Sequence, residues 1–497
     1  MFKRNTISFP KTKTIKVKFD DFERNVEPSS EPLKKESDRP KIAYNFKVEN
    51  GFLEDGYGVK ELSLPYNKND KTEHLVNTQN KEIVGVWGFN WFDYNNLNND
   101  TFIFFIDKNF DVFYFYEYTY MDTLFPAELE LTSKPVVGEH RVDRNNMLVF
   151  SSPTDDLIVY GGGIEIYKFP NAKKFASCCV HENVFYAIDL EDCCKIVWTK
   201  DFDPLNVENT AFNEYHFKGG DGGRFRQLFS LHDYVYIFRD TAIVKVSAYS
   251  SSNPLSVTHI YYSSSFIIPQ TTKRCGEYIV FLTREGLHLF NGTDVSKVDL
   301  EVFDLIDMTN YETFASATQN GKYFLSCKMN FADGEKVGCE NSESGYKNNA
   351  LLVFDLESGK VEIMRGVDIS DLAPIESNIM SKMLCSFNND NITKLGEITK
   401  DGKIFGEEVL KKWESVSTDF GYAGNKKVVK SISLYAQSDC QVTIKSETDS
   451  KTIFVEGKDK LQKIKTLVKG KIFEVSFSSL TSGQKISSPE LEVEVLL

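Results

Sequence analysis

This sequence predicts an all-β fold: a β-propeller of about seven blades over residues 41–406, preceded by an N-terminal strand and polar arm (1–40) and followed by a C-terminal β-sandwich (407–497). Three observations predict it. Aromatic residues make up 13% of the chain, with 39 Phe and 23 Tyr, and such side chains pack well on a pleated, half-buried surface. Paired apolar runs recur through the middle of the chain, and the last segment alternates apolar and polar residues with period two. At 497 residues the chain also exceeds what one hydrophobic core organises.

The first element is a candidate strand, Thr14 to Phe19. It leads into DDFERNVEPSSEPLKKESDRP, whose Pro, Ser and charge leave too little apolar surface to pack. This stretch is expected to be an extended arm, disordered alone and ordered only on a neighbour. Lys41 to Pro65 follows, with glycines at 51, 56 and 58, and then an asparagine-rich stretch to Asp100.

From there one theme repeats: a polar or turn residue, a β-branched and aromatic run, a short turn and usually a second run. The units start at Asp100, Asn146, Asn183, Asp233, Glu277, Lys322 and Lys382, at intervals of 46, 37, 50, 44, 45 and 60 residues. Turns such as FRDTA and TREGL are hairpin-sized, and no stretch sustains a helical apolar stripe. A weak period of roughly 40–50 residues is what propeller blades produce, because a four-stranded blade buries its faces only against its neighbours. The 60-residue interval contains a separate pair, Leu351 to Leu356 and Val361 to Met364. A large sandwich or several small barrels is the competing architecture.

After Glu407 the candidate strands are Lys411 to Val416, Val428 to Tyr435, Gln441 to Glu447, Ile464 to Val468, Lys471 to Ser478 and Leu491 to Leu496. KSISLY, QVTIKS and FEVSFS carry the alternation of half-buried strands.

Formal net charge is −14, which repels phosphate backbones unless basic residues are segregated. The basic clusters Lys11 to Lys18 and Lys458 to Lys471 are interleaved with apolar residues and read as solvated strand faces. No apolar run is long enough for a membrane-spanning helix, and the first residues lack the apolar stretch of a secretory signal, so no membrane insertion is expected. The nine cysteines, at 178, 179, 193, 194, 275, 327, 339, 385 and 440, have no C-x-x-C spacing. The adjacent pairs Cys178-Cys179 and Cys193-Cys194 read as one buried and one outward thiol each rather than as metal ligands.

No catalytic, cofactor or metal residue emerges. The seven histidines lack zinc-site spacing, and His181, His232 and His288 read as solvent-facing or capped. Lys218 to Arg224 has the glycines of a phosphate loop without its Lys-Ser/Thr pair or helix, so it reads as an inter-strand loop. Gly161-Gly162-Gly163 is a turn. Asp155-Asp156, Glu191-Asp192 and Asp201 with Asp203 read as turn acids, although a propeller can set two carboxylates across its axis. Asn388-Asn389-Asp390-Asn391 lacks EF-hand spacing and reads as a tight turn. Asn291-Gly292 is a favoured hairpin dipeptide.

Three regions together resemble a family. Ala43 to Phe46, Asn50-Gly51-Phe52-Leu53 and Gly56-Tyr57-Gly58 are similar to the opening of tailed-bacteriophage tail and head-to-tail proteins, where such a stretch feeds the first blade. Asp203-Pro204 to Gly223, Leu228 to Phe238 and Ile268-Pro269 to Gly292 resemble their mid-propeller segment. Trp413, Asp419-Phe420-Gly421, Gly470 to Phe473 and Ile486 to Pro489 resemble their terminal sandwich. The long polar arm departs from the pattern. The resemblance implies a non-enzymatic virion component, a tail hub, nozzle or head-to-tail accessory protein. Such a protein is assembled in the host cytoplasm as a ring around the tail axis. The partners so implied are further copies of the chain and neighbouring tail or connector proteins. Transient non-specific passage of DNA is also implied, with no cofactor and no small-molecule substrate. The net negative charge would keep passing DNA from sticking to a conduit. The competing readings are a carbohydrate-binding adhesin propeller and a propeller glycoside hydrolase.

Overall fold

A computed structural model describes residues 11–19, 22, 24–28, 40–65, 72–93, 98–116, 125–142, 145–161, 166–217, 222–247, 255–337, 345–376, 381–389 and 392–497. Among these residues the chain is all-β, broken only by short 3-10 turns. No helix among them is long and apolar enough to cross a membrane.

Six small antiparallel sheets follow one another, each with four strands in sequence order. They cover residues 83–130, 136–169, 175–216, 225–262, 273–297 and 315–365. A seventh contains Asp368–Glu376, Ser381–Asn389 and Ile392–Thr399. The seven repeat units found in sequence fall on the second strands of these sheets: Asn98–Asp107, Asn145–Ser151, Val184–Asp189, Tyr234–Arg239, Tyr278–Thr283, Lys322–Cys327 and Ser381–Asn389. The long sixth interval holds the third and fourth strands of the sixth sheet, Ala350–Asp355 and Val361–Arg365.

These second strands are apolar without alternation because both faces are buried, each against a different neighbour. In the first sheet, Phe102 and Phe104 pack with Leu148 and Phe150 of the second. On the opposite face, Ile103 and Phe105 pack with Ile375, Leu384 and Leu395 of the seventh. The same division joins the second to the third sheet through Val149 and Phe185. Tyr186 and Ile237 join the third to the fourth, and Phe238 and Phe281 the fourth to the fifth. Leu282 and Leu325 link the fifth to the sixth, and Phe324 and Phe387 the sixth to the seventh. The sequence of shared cores therefore closes on itself, last sheet to first.

The closing sheet draws its fourth strand from the opposite end of the chain. Gly58–Glu61 pairs antiparallel with Ile392–Thr399, from Gly58 opposite Thr399 to Glu61 opposite Gly396. Glycine is required at 58, since a Cβ there would lie 2.3 Å from the Lys403 carbonyl oxygen. Lys60 and Lys382 each reach a Glu397 oxygen at 2.7 Å, which ties the N-terminal strand to the sheet it completes.

Lys403–Ile404 and Glu407–Glu408 extend the closing sheet, Ser63–Pro65 pairs with Glu73–Leu75, and the remaining strands form two sheets that enclose a separate core. One contains Thr12–Lys18, Glu490–Leu496, Lys427–Ala436, Lys458–Gly470, Lys485–Ser487, Phe52–Asp55 and Phe46–Glu49. The other contains Pro40–Tyr44, Lys411–Ser415, Phe473–Ser479, Cys440–Ser446 and Ser450–Val455. Residues 41–55, which the sequence assigns to the repeat array, therefore lie in sheets with strands from the other end of the chain. The core gathers Leu53, Trp413, Ile432, Val442, Val475, Phe477 and Val493. It also contains Phe19, the end of the expected first strand, and Phe22, an aromatic in the segment expected to be an extended arm. Val26 is buried with the fifth and sixth ring sheets, and Asn25 donates to the Gly359 carbonyl at 2.9 Å and accepts from the Val361 N–H at 2.8 Å. The arm expectation is corrected for residues 22 and 24–28, and its continuation over 29–39 lies outside the described residues.

The two lysine clusters meet on one sheet. Glu490, Glu492 and Glu494 alternate with buried Leu491, Val493 and Val495. Lys16 reaches Glu490 at 2.8 Å from one side, while Lys463 reaches Glu492 at 2.6 Å and Lys430 reaches Glu494 at 3.0 Å from the other. Exposed pairs of this kind stabilise little individually, but they neutralise a face that isolated lysines would leave strongly basic.

Candidate functional site: a polar cleft between the ring and the terminal sheets

Period-two alternation in the five-stranded sheet turns Trp413, Val442, Ile444, Val475 and Phe477 inward. It sends Lys412, Glu414, Gln441, Thr443, Glu474 and Ser476 to the other face. That face and ring residues Leu305, Asn330, Phe331, Asp333 and Ile363 bound a cleft of about 750 Å³. Its size and its position between two packed units suit a ligand site.

At one end of the cleft four distant segments converge. Arg365 ends the last strand of the sixth sheet, and its Nη1 lies 3.0 Å from Asp333 Oδ1. The guanidinium covers the rings of Phe331 and Tyr44, at 4.1 and 4.7 Å from their centroids. Tyr44 Oη donates to Asp333 at 2.9 Å, and Lys412 Nζ approaches the same carboxylate at 3.4 Å. Burial opposes ionisation of Asp333, but Arg365, the Tyr44 hydroxyl and Lys412 hold its carboxyl below the usual range. Burial and the neighbouring Asp333 push the Tyr44 phenol far up. Asn45 fixes the backbone beside them, accepting from the Arg365 N–H at 2.7 Å and donating to the Arg365 and Leu410 carbonyls.

Along the sheet, Lys41 bridges Glu414 at 2.7 Å and Glu474 at 3.1 Å. Burial would lower the Lys41 pKa, but the two carboxylates raise it. Glu474, also partly buried, is held low by hydrogen bonds from Ser417 and Lys41. The carboxylates Asp333, Glu414 and Glu474 are thus each committed to a cation. The arrangement suits binding and rigid coupling of ring to terminal sheets, with the Gln441 amide and the Ser476 and Ser478 hydroxyls along the wall beside Thr443, whose hydroxyl pairs with that of Thr452 at 2.9 Å. None of this is a local motif, and only the outward polar alternation of the late strands could have signalled it.

The groups singled out in sequence lie elsewhere and apart. Cys178 packs into the core between the second and third sheets and Cys179 into that between the third and fourth. The expectation of one outward thiol is corrected for this pair, because a strand in a ring sheet has a neighbour on each face. Burial pushes the Cys178 thiol up to about 12 and the Cys179 thiol higher still. His181 Nδ1 pairs with Ser230 Oγ at 3.0 Å, and His288 Nδ1 with the Gly286 carbonyl at 3.0 Å. Both rings are buried and hydrogen-bonded, the capped alternative of the expectation and not the solvent-facing one. His232 lies between the Asn291 carbonyl at 3.2 Å and Glu277 at 3.3 Å.

Asp155 caps the Thr132 backbone at 2.9 Å and accepts from Ser152 Oγ at 2.5 Å. Asp192 pairs with His216 at 2.9 Å, Asp203 caps Leu205 at 2.9 Å, and Asp201 is exposed. Asn291 Oδ1 closes its turn on the Asp294 N–H at 2.8 Å. Residues 218–221, 162–163, 390–391 and Cys339 lie outside the described residues. In the described end of the glycine loop, Asp240 accepts from the Arg224 N–H, and Arg239 donates to the Gly223 carbonyl at 2.7 Å. Among the described residues no three His, Cys, Asp or Glu side chains form a metal-sized group.

No protein-family model matches the chain, and no curated protein matches it. Among solved structures, the chain is similar to BBS1N in the crystal structure of its complex with ARL6DN, soaked with lead, at 9% identity and a TM-score of 0.40, over 70% of this chain and 97% of that one. It is also similar to the Neurospora crassa Pan2 WD40 domain, at 9% identity and a TM-score of 0.38, over 65% of this chain and 90% of that one.

Proposed function

We propose that this chain is a non-enzymatic structural protein of a bacteriophage virion. In this reading it is a seven-bladed β-propeller joined to a β-sandwich built from both chain ends, working in several copies as a tail or head-to-tail component around the tail axis. The cyclic order of shared cores and the N-terminal strand in the last sheet support seven blades. The observation that carries the assembly reading is a division of charge across this joined body. Residues 56–406 hold 32 Lys and Arg against 49 Asp and Glu, a net of −17. The remaining residues hold 26 against 23, a net of +3. Copies placed head to tail bring unlike surfaces together, which is the arrangement a closed heterologous ring requires.

Light scattering on the purified protein, alone and mixed with tail proteins of the same virion, tests this. A closed ring that weakens in high salt, or one that forms only with a partner, is the expected result. A monomer inert to every partner rejects it. One observation favours a second reading as a carbohydrate-binding propeller: the row of amide and hydroxyl groups along the cleft wall, which matches a polyol. A glycan array on the intact protein, with Gln441→Leu as control, separates the two.

A further inference from the structure

The outward face of the five-stranded sheet carries a line of side chains that runs from its edge into the cleft. Gln441 lies directly opposite Phe454 on one neighbouring strand and Ser478 on the other, and Ser478 lies opposite Lys412. Residues opposite one another across a sheet share a face. Val455, next to Phe454, is buried in the core behind, so Phe454 points outward with the other three. The line starts on the edge strand Ser450–Val455 and ends at Lys412, beside the Asp333 carboxylate. At about 4.8 Å per strand it is about 14 Å long.

Its chemistry is specific. Phe454 is 63% exposed. Gln441 is exposed, and Ser478 lines the cleft with Ser476, both half-buried. Neither serine hydroxyl is sealed from solvent, so a ligand can touch the whole set. The charged groups on the same face are paired: Lys412 with Asp333 and Glu414, and Lys41 and Lys445 with Glu474. What the face offers is therefore one bare aromatic ring, one amide and two hydroxyls, without an uncompensated charge. A single exposed aromatic is ordinary on a protein surface. Here it stands in line with reachable polar groups at a cleft of about 750 Å³, and a pyranose ring, with a face of C–H groups and a rim of hydroxyls, matches that combination.

We propose that this line binds a neutral oligosaccharide laid across the strands, with one pyranose ring stacked on Phe454 and the hydroxyls of the following rings meeting Gln441, Ser478 and Ser476. The assignment rests on the carbohydrate-binding reading of the cleft, and gives that reading a ligand class and a direction. A monosaccharide covers only part of a line about 14 Å long, so affinity rises with chain length. The contacts involve no net charge, so binding is insensitive to salt.

Calorimetry of the intact protein with cellotriose, maltotriose, chitotriose and glucose tests the site. The expected result is saturable binding of at least one trisaccharide, equal at low and high salt, and at least about tenfold tighter than glucose, which is about 1.4 kcal/mol. Phe454→Ala should weaken that binding about tenfold or more and leave the thermal melt unchanged, because the ring is on the surface. Phe454→Trp should retain binding and show a fluorescence change with the trisaccharide larger than the parent's. Absence of saturable binding to all three trisaccharides, or equal affinity for glucose, would overturn the proposal. Binding that is lost in Gln441→Leu but unaltered in Phe454→Ala would overturn the stacked line alone and leave the carbohydrate reading of the cleft standing.

Discussion

Asp333 and Arg365 meet at 3.0 Å with their side chains only 2% and 3% exposed, and Tyr44 and Lys412 of the terminal sheets reach the same carboxylate. Removing one member of a buried pair leaves the other charge uncompensated, typically at about 3–5 kcal/mol. Asp333→Leu should lower stability by about that amount in chemical denaturation, and Asp333→Leu with Arg365→Met should recover much of it. The Asp333 carboxyl titrates below its unfolded value. Its contribution is therefore present above the unfolded carboxylate pKa and lost as pH falls through the folded one. An Asp333→Leu penalty unchanged under strong acid would contradict this.

His140 supplies a second acid-sensitive element. Its ring stands edge-on to Phe202 and Phe185, at 4.7 and 5.5 Å, and its Nδ1 has no hydrogen-bond partner. Burial pushes its pKa down to about 4. Below the unfolded value of about 6.5 the unfolded chain takes up a proton that the folded chain refuses. Stability should thus fall as pH drops from about 6.5 to about 4, by up to about 3 kcal/mol from this group, and level off below. His140→Phe should flatten that part of the pH profile in urea melts. A parallel profile would reject the assignment.

The limits of the sequence reading follow from the same geometry. FIFFI at Phe102 to Ile106 and YVYIF at Tyr234 to Phe238 announce strands, and their lack of alternation follows from a neighbour on each face. Which strand pairs with which is not written locally. Val59 looks like any short apolar position until it lies opposite Ile398 in the last sheet. Phe22 sits among charged residues, so composition marks it as part of an arm, whereas its ring and that of Phe19 at the end of the first strand suffice to bury the segment beside Trp413. Tyr44, Asp333, Arg365 and Lys412 converge only after the fold forms, and no spacing rule could have grouped them.

Closure of the ring can be tested at one glycine. A Cβ at Gly58 would meet the Lys403 backbone, which cannot swing aside as a side-chain tip would. Gly58→Ala should cost about 1–3 kcal/mol. Hydrogen exchange should locate the damage in Ile392–Thr399, the strand paired with it, and spare Val184–Asp189 across the ring. Uniformly faster exchange over all the sheets would mean that the closing strand is not a local seal.

The anchoring of the chain's beginning gives the last test. Phe22 packs edge-on against Trp413 at 5.0 Å and Phe477 at 5.8 Å, inside a core whose other walls come from residues 43–53 and the final ninety or so residues. Truncating a buried Phe to Ala typically costs about 3–5 kcal/mol. Phe22→Ala should therefore destabilise the terminal sheets by about that amount, and raise protease cleavage near residues 24–28, while the ring's own melting is little changed. If Phe22→Ala is neutral in denaturation and leaves cleavage unaltered, the segment is only resting on the surface, and the free-arm expectation is restored.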